Sequence, residues 1–191
     1  MIVLSNHGAS NHGVPKRFVR FRFSRKLSRA MVEKNETTLS LLARRTQQLR
    51  TGAGLSQDKF ARLVGRHRSL ISAVEGGRKN LSLDTVDLIA SALGVEVVSL
   101  FGEDIVLRDP ENAEPLRARV ARTIKTLRDK RKLSQEDLSE SAELWRGYVA
   151  YLERRKPNAD LVHLARLADA LAVPIGALFA SPGSDEKASN P

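Results

Sequence analysis

The sequence predicts an all-α protein made of two tandem five-helix domains, and two observations support this prediction. The chain repeats itself at a period of 78 residues: Leu55-Ser56-Gln57 recurs as Leu133-Ser134-Gln135, and the copies stay in register, without a gap, to Leu100-Phe101 and Leu178-Phe179. Within each copy, apolar residues recur at helical spacing between capping and stop residues. A register held over that length indicates an internal duplication of a small domain.

Each predicted helix of the first copy has its own start or stop signal. An apolar stripe over residues 39–49 predicts the first helix. Ser56 caps a second helix, and Gly65 ends it. A short third helix is predicted over residues 68–75, and Ser82 caps a fourth helix before a short fifth element completes the core.

The second copy repeats this plan from Leu116 to Phe179. Ser134 is its helix cap, with Asp137 at the capping-box position. Glu143 stands where the first copy has its turn glycine, which costs on the order of 1 kcal/mol if a left-handed conformation is needed there. Gly147 is predicted to lie inside the third helix of this copy.

Charge divides the chain into five segments. A flexible basic arm, expected to be disordered, covers residues 1–38, the first domain 39–102, an acidic linker 103–115, the second domain 116–180 and a disordered tail 181–191. The net charge is +10 and the isoelectric point is near 10.4. Because the arm and both copies are basic, this balance points to a polyanion, most simply nucleic acid. The alternative is that lysines and arginines only solubilise helical surfaces.

Phenylalanines interleave with arginines in the arm between Lys16 and Arg29. One interpretation is a segment that lies along DNA phosphates, with occasional stacking on bases. The other is a disordered tail, or a protein whose compact part begins at Met31.

Composition argues against several other classes of protein. The chain has no cysteine, which excludes disulfides and thiolate metal sites and favours a reducing cytoplasm. No apolar run approaches the ~20 residues of a membrane span, and the N-terminus has no signal-peptide stretch. A Gly-rich phosphate loop and a metal-spaced histidine cluster are both missing from the sequence. We therefore expect a cytoplasmic protein with no enzymatic activity, cofactor, membrane association or small-molecule ligand.

The centre of each copy is a helix, a tight turn and a second short helix. In this arrangement the second helix can enter the major groove of DNA. Gly65 allows the turn, because a glycine takes a left-handed conformation without strain. Apolar residues on both helices fix the angle between them. The residues left on the outward face are Arg68, Ser69, Ser72 and Ala73.

These residues carry a specific resemblance to a known family. The first copy, over residues 41–101, resembles the lambda-repressor/Cro-like helix-turn-helix family, also called XRE, and the second copy resembles it more loosely over 119–179. The matching residues form a long motif of fixed length: Leu55-Ser56-Gln57, Ala61, Gly65, Ile71-Ser72, Glu75-Gly76-Gly77-Arg78, Asn80, Ser82-Leu83, Ile89-Ala90 and Ala92-Leu93-Gly94-Val95.

The resemblance implies that the chain binds double-stranded DNA. Gln57 would touch a phosphate, and Arg68 would reach base edges, where an arginine favours guanine. His67 would be a helix cap or a phosphate neighbour. The full set of candidates in the first copy is Gln57, His67, Arg68, Ser69, Ser72, Ala73, Arg78, Lys79 and Asn80. The resemblance also implies internal ion pairs, Arg50 with Glu75 and Arg128 with Glu153, which are structural.

The second copy departs from the family pattern, and two interpretations stay open. Its DNA-binding candidates are Gln135, Arg146, Gly147, Ala150, Tyr151, Arg154, Arg155 and Lys156, with Arg146 as the one strong base reader. In one interpretation this copy reads DNA with altered specificity. In the other, Trp145, Tyr148 and Tyr151 mark a protein-contact face, since aromatics are enriched at interface cores. Tyr148 is alternatively a core residue.

Two recognition helices in one chain suggest how it meets DNA. Members of such families usually dimerise to read half-sites about 34 Å apart. A linker of ~14 residues spans up to ~45 Å when extended, so the duplication could act as an intrachain pseudo-dimer on an asymmetric site. A homodimer of the whole chain is the other alternative.

We therefore predict a sequence-specific DNA-binding transcriptional regulator, a repressor or autoregulator, that reads the major groove with the third helix of each domain. Restriction–modification controllers and antitoxin-type regulators share this compact form. The alternative is a protein-interaction module, anti-activator or antitoxin-like, that uses the aromatic face of the second domain and binds DNA weakly.

Overall fold

The computed structural model of the chain describes residues 37–109 and 114–180. In these ranges it contains eight α-helices, two 3-10 helices and two isolated β-bridges, and no strand, which confirms the all-α prediction. No helix in the described part of the chain is long and apolar enough to cross a membrane. The predicted tail lies outside the described residues, as does the predicted arm apart from its last two positions.

The two repeats have the same order of elements. The first repeat contains α1 (Thr38–Gly52), α2 (Gln57–Val64), α3 (Arg68–Glu75), α4 (Leu83–Ala92) and a 3-10 helix (Val97–Leu100). The second repeat contains α5 (Leu116–Lys130), α6 (Gln135–Ser141), α7 (Tyr148–Arg155), α8 (Leu161–Ala170) and a 3-10 helix (Ile175–Phe179). Four α-helices followed by a 3-10 helix are compatible with the predicted five elements.

The predicted caps of the helices that begin each helix-turn-helix are confirmed. The Ser56 hydroxyl oxygen accepts from the Lys59 backbone N–H at 3.2 Å. In the second repeat, the Ser134 hydroxyl accepts from the Asp137 N–H at 3.0 Å, and the Asp137 carboxylate accepts from the Ser134 N–H at 3.0 Å. These two bonds form a capping box, which satisfies donors that the first turn of a helix leaves unpaired.

Three left-handed backbone positions recur in both repeats with different residues. The first repeat places glycines there, Gly54, Gly65 and Gly94, with φ of 67°, 67° and 69°. The equivalent residues of the second repeat are Lys132, Glu143 and Ala172, with φ of 55°, 53° and 49°. The second repeat has therefore kept the turns while losing the glycines that favour them, including the turn glycine whose loss the sequence predicted to carry a penalty.

At the third of these positions, matched substitutions in the two repeats should change the free energy of unfolding in opposite directions. We expect Ala172→Gly to raise the free energy of unfolding by about 1 kcal/mol. A left-handed alanine is strained by about 1–2 kcal/mol, and the larger conformational entropy that glycine gives to the unfolded chain offsets part of the gain from removing this strain. The matched variant Gly94→Ala should lower the free energy of unfolding by a similar amount. A Cβ at position 94 would meet no atom of the described residues within 4 Å, so the substitution causes no steric clash there. Urea unfolding measures both, and a stabilised Gly94→Ala would contradict the expectation.

The two repeats pack against each other through equivalent residues. Ser82 and Asp160 form an antiparallel β-bridge, and they occupy the same position in their respective repeats. The Leu83 N–H donates to the Ala159 carbonyl at 2.9 Å, and the Leu161 N–H donates to the Leu81 carbonyl at 2.8 Å. Since each bond is the counterpart of the other 78 residues along, the contact is self-complementary, as in a two-fold symmetric dimer. We call this packing of the two repeats around a pseudo-two-fold axis the pseudo-dimer.

Each repeat also supplies a helix cap to the other. The Asn158 side-chain oxygen accepts from the Asp84 N–H at 3.0 Å, and its counterpart Asn80 accepts from the Val162 N–H at 3.2 Å. Ser82 precedes α4, as predicted, but its hydroxyl makes no cap bond to the backbone and lies 3.2 Å from the Thr85 hydroxyl. Ser82 is thus the N-cap residue of α4, as predicted, but the side chain that accepts from the first turn of the helix is Asn158 of the other repeat.

A stacked aromatic pair and two ion pairs complete this interface. The rings of Phe101 and Phe179, again equivalent residues, have centroids 4.9 Å apart and planes 25° apart. Arg119 donates to Glu96 at 2.6 Å, and both side chains are almost fully buried. Arg117 of α5 pairs with Asp84 of α4 and, through that hydrogen bond, lowers the pKa of the Asp84 carboxyl. Neither ion pair has a charged counterpart across the pseudo-two-fold axis, since the equivalent positions are apolar residues or proline.

The described part of the acidic linker packs on the first repeat. The Glu96 N–H donates to the Val106 carbonyl at 2.8 Å, and Val95 forms a β-bridge with Leu107. Arg108 donates to Asp87 of α4 at 2.8 Å, which raises the pKa of the guanidinium. Residues 103–109 therefore do not act as an extended tether, and the repeats are held by their mutual contact.

Candidate nucleic-acid interface

The first repeat contains the predicted helix-turn-helix. Phe60 and Val64 of α2 and Ile71 and Val74 of α3 are all at most 3% exposed, so they pack between the helices and set their angle. Gly65 ends α2 in the left-handed conformation, and its N–H bonds back to the Arg62 carbonyl. This packing holds α3 with its N-terminal residues toward solvent.

A buried ion pair ties α3 to α1. Arg50 donates to the Glu75 carboxylate at 2.5 and 3.0 Å and to the Leu55 carbonyl at 2.5 Å. Gln57 adds a bond from its side-chain amide to Glu75 at 2.8 Å. The pair implied by the resemblance is present, and the Gln57 amide predicted to meet a phosphate is bonded inside the protein. The phosphate contact of Gln57 therefore stays a prediction. It would use the backbone N–H of Gln57 and the second hydrogen of its side-chain amide.

The same network recurs in the second repeat. Arg128 donates to Glu153 at 2.8 and 3.3 Å and to the Leu133 carbonyl at 2.9 Å. Gln135 donates to Glu153 at 2.6 Å. The hydrogen bond to Glu153 is the main cause of a raised pKa at Arg128. The duplication has thus preserved this support of the recognition helix in full.

The start of α3 presents the residues predicted to read bases. His67 is its N-cap, with the ring Nδ1 accepting from the Ser69 N–H at 3.2 Å. The Arg68 side chain is 61% exposed. Its Nε lies 3.7 Å from the Asp58 carboxylate of α2, an ion pair too long for a hydrogen bond. Ser72 and Ala73, one turn on, are half-buried.

The basic residues after α3 lead directly into the contact between the repeats. Arg78, Lys79 and Asn80 are exposed. Asn80 also caps α8 of the other repeat through its side-chain oxygen. The structure therefore gives Asn80 a role in holding the two repeats together that sequence reasoning missed. Its DNA contact remains a prediction, and it would use the side-chain amide nitrogen, which that bond leaves available.

The recognition helix of the second repeat is displaced by two residues. It begins at Tyr148, whereas the equivalent of the α3 start is Arg146. Gly147 precedes the helix with φ of +90°, so the prediction that it lies inside the helix is wrong. A φ of +90° does not fit a right-handed helix, and only a glycine takes it without strain. Arg146 and Gly147 therefore lie in the turn.

Arg146 is paired with an acid of the preceding helix. Its guanidinium donates to both oxygens of Glu136, at 3.2 and 3.0 Å, and this hydrogen bonding raises the pKa of Arg146. Glu136 and Arg146 are the equivalents of Asp58 and Arg68. Sequence reasoning did not pair either acid with its arginine, because a separation of ten residues across a turn gives no local sign of contact.

Aromatic side chains cover much of the rest of this face. Trp145 is 58% exposed and Tyr151 42% exposed, with ring centroids 6.0 Å apart. Tyr148 is a core residue, as one of the interpretations held, and burial raises its pKa to about 12. Ala150 is half-buried beside them, and three exposed basic residues follow: Arg154, Arg155 and Lys156.

Comparison with known proteins agrees with this geometry. A helix-turn-helix domain family matches residues 41–100, and a second helix-turn-helix family matches residues 124–178. The chain belongs to the helix-turn-helix family of the lambda-repressor/Cro (XRE) type, in two tandem copies.

Three relatives illustrate this membership. The chain is 39% identical over 57 residues to control protein C.BamHI of Bacillus amyloliquefaciens, covering 29% of this chain and 70% of that one. It is 32% identical over 74 residues to antitoxin PezA of Streptococcus pneumoniae, covering 39% of this chain and 47% of that one. It is 41% identical over 73 residues to the immunity repressor protein of Bacillus phage phi105, covering 38% and 50%. The matches thus span only about half of two of these relatives.

Proposed function

We propose that the chain is a sequence-specific DNA-binding transcriptional regulator acting as a repressor or autoregulator. The observation that carries this proposal is the exposed N-terminal edge of α3, which a buried core and the Arg50–Glu75 pair hold away from the rest of the repeat. Such an edge fits the width of a major groove. Relatives named as a control protein and an immunity repressor support the regulatory sense.

The proposed contacts divide into base reading and backbone positioning. Arg68 reads a guanine through its free guanidinium donors, with Ser69 beside it. Lys79 and Arg78 hold phosphates at the end of α3, which fixes the register of the protein on the duplex without reading sequence.

The pseudo-dimer supports DNA binding by a single chain. Its two helix-turn-helix units are related by the pseudo-two-fold axis of the Ser82–Asp160 contact, which is the arrangement that usually requires two subunits. Joining them in one chain replaces a concentration-dependent association with a permanent contact. The amount of DNA bound should therefore rise with the first power of the protein concentration, without the steeper dependence that assembly of two subunits would give.

Substituting Arg68 tests the proposal most directly. We expect Arg68→Ala to weaken binding to a duplex selected from a random pool by roughly 5- to 150-fold, because one bidentate base contact is lost. Binding to random duplex should change little. The matched control Lys79→Ala should weaken both and lower the slope of log affinity against log salt by about 1. Gel shifts at several salt concentrations measure these effects, and equal losses on both duplexes with Arg68→Ala would refute base reading.

A second candidate function is a protein-interaction module, favoured by the exposure of Trp145 and Tyr151. In that case the second repeat contacts a partner protein and DNA affinity is residual. Retention of full DNA affinity by Trp145→Ala, together with loss of regulation in cells, would favour this candidate for the second repeat.

A further inference from the structure

The two helix-turn-helix faces carry opposite charge. From Gln57 to Arg68 the first repeat has four basic residues and one acid, a net charge of +3; the equivalent stretch, Gln135 to Arg146, has one basic residue and four acids, a net charge of −3. The residues in question, all exposed, are Asp58, Lys59, Arg62, Arg66 and Arg68 against Glu136, Asp137, Glu140, Glu143 and Arg146. The contrast is hidden in totals, because both repeats are basic overall.

The reversal falls at structurally equivalent positions. Lys59 of α2 corresponds to Asp137 of α6, and Arg62 corresponds to Glu140. The buried side of each helix is retained: Phe60 and Leu138 are both fully buried. Four of the six units of charge difference therefore lie on the solvent face of the first helix of the motif, and the other two lie in the turn, where Glu143 stands for Gly65 and Leu144 for Arg66.

The one basic residue of the second face is also neutralised locally. Arg146 donates to both oxygens of Glu136, whereas Arg68 stands 3.7 Å from Asp58 without a hydrogen bond. Moving Arg146 onto a base would leave Glu136 facing DNA without its partner. Glu136, Asp137 and Glu140 lie within about one turn of α6, roughly 6 Å along its axis. A phosphate that approaches this face therefore comes within the ~8 Å screening length of several acids at once and is repelled.

Basic residues persist near the pseudo-two-fold axis. Arg78 and Lys79 precede Asn80, and Arg154, Arg155 and Lys156 precede Asn158, the two asparagines that bond across the interface. Basic residues thus extend from the helix-turn-helix of the first repeat to the residues that bond across the interface; in the second repeat Lys130, Arg131 and Lys132 precede α6, and the acids follow them along the helix.

We propose that this pseudo-dimer holds DNA on one side only: the first repeat and the central basic residues bind the duplex, and the acidic face of α6 keeps the second repeat from gripping a second half-site. This inference rests on the proposed DNA binding and goes beyond it. Lys59 and Arg62 on one side, and Asp137 and Glu140 on the other, determine the one-sidedness. The operator of such a protein contains one well-specified half-site and a centre, in contrast to the inverted repeat read by a symmetric dimer.

Reciprocal charge exchange in the full chain tests the proposal. The first variant, Lys59→Asp/Arg62→Glu, gives the first repeat the residues of the second. The other, Asp137→Lys/Glu140→Arg, does the opposite. The probes are random-sequence duplex and the duplex that the wild-type protein selects from a random pool. Gel shifts over a salt series and hydroxyl-radical footprints are recorded for each.

The expected results differ in sign. Lys59→Asp/Arg62→Glu should lower the salt slope by about 2, since about 0.9 is lost for each phosphate contact, and weaken binding at low salt at least 10-fold. Asp137→Lys/Glu140→Arg should raise the slope by about 2 and extend the footprint across a second half-site. Because Asp137 belongs to the capping box, Glu140→Arg alone serves as a second variant with about half the effect; its side chain makes no hydrogen bond to the residues that the structure describes. Circular dichroism checks that all of them fold.

Other outcomes separate this proposal from the function on which it rests. A wild-type footprint with equal protection on both sides of its centre would overturn the one-sided grip while leaving DNA binding intact. An unchanged salt slope in folded Glu140→Arg and Asp137→Lys/Glu140→Arg would do the same. Absence of wild-type binding to either duplex at low salt would instead defeat the proposed function itself.

Discussion

Replacing Glu75 by alanine is expected to lower the free energy of unfolding by about 3–5 kcal/mol, because the Arg50 guanidinium would be left buried without its charge partner. The Arg50 and Glu75 side chains are 9% and 4% exposed. Glu75 also accepts the bond from Gln57, so its removal leaves donors of two residues unpaired. For a chain of this size the loss corresponds to a fall in melting temperature of roughly 10 °C.

An exposed carboxylate provides the control. Glu103 pairs with Arg44 and Arg45 but is 74% exposed, and Arg45 keeps its bond to the Ser99 carbonyl without it. Glu103→Ala should therefore change the free energy of unfolding by less than about 1 kcal/mol. Glu153→Ala should reproduce the large loss from the second repeat. If Glu75→Ala and Glu103→Ala had similar small effects, the Arg50–Glu75 pair would not be the support of α3 that its geometry suggests.

Local signals explain why much of this fold could be predicted from the sequence. A capping serine, a stop glycine and an apolar stripe act over a few residues, so the helices around Ser56 and Ser134 follow from the chain alone. The Arg50–Glu75 pair came from the family resemblance, which encodes one distant contact. A left-handed conformation of Glu143 was expected if the second copy kept the turn. Its φ of 53° shows that the turn is kept.

The displacement of α7 also has local causes, at Gly147 and at Lys156-Pro157. Gly147 takes a φ of +90°, which delays the start of the helix. At the other end, Lys156 is left-handed and Pro157 follows it; the residue before a proline is disfavoured in the right-handed helical region. Reading these two residues as boundaries would have moved the helix by two positions.

The contact between the repeats could not be read in the same way. Asn80 and Asn158 bond across a pseudo-two-fold axis, and nothing in the sequence distinguishes an asparagine that faces a phosphate from one that caps a neighbouring helix. An exposed arginine likewise gives no local sign that an acid ten residues earlier will bind it. Such pairings depend on the packing of whole elements, which is why the roles of Asn80 and Arg146 emerged only from the structure.

The most demanding consequence of the pseudo-dimer is that a change in one repeat should destabilise both. Phe179 is fully buried, and its ring stacks on Phe101 of the first repeat at 4.9 Å. We expect Phe179→Ala to lower the free energy of unfolding by about 3–5 kcal/mol through lost burial and a residual cavity. The loss should appear in a single cooperative transition, and amide exchange should rise at Leu83 of the first repeat as well as at Leu161 of the second.

The counterpart Phe101→Ala provides the matched test from the other side of the axis, since it removes the same stacking contact from the first repeat. If the repeats were independent domains on a linker, each variant would lower only one of two separate transitions and leave the amides of the other repeat protected. Differential scanning calorimetry distinguishes these cases, because a unit that melts as a whole has equal calorimetric and van't Hoff enthalpies. Two resolved transitions in the wild-type protein would show that the hydrogen bonds and stacked rings between the repeats do not couple their folding.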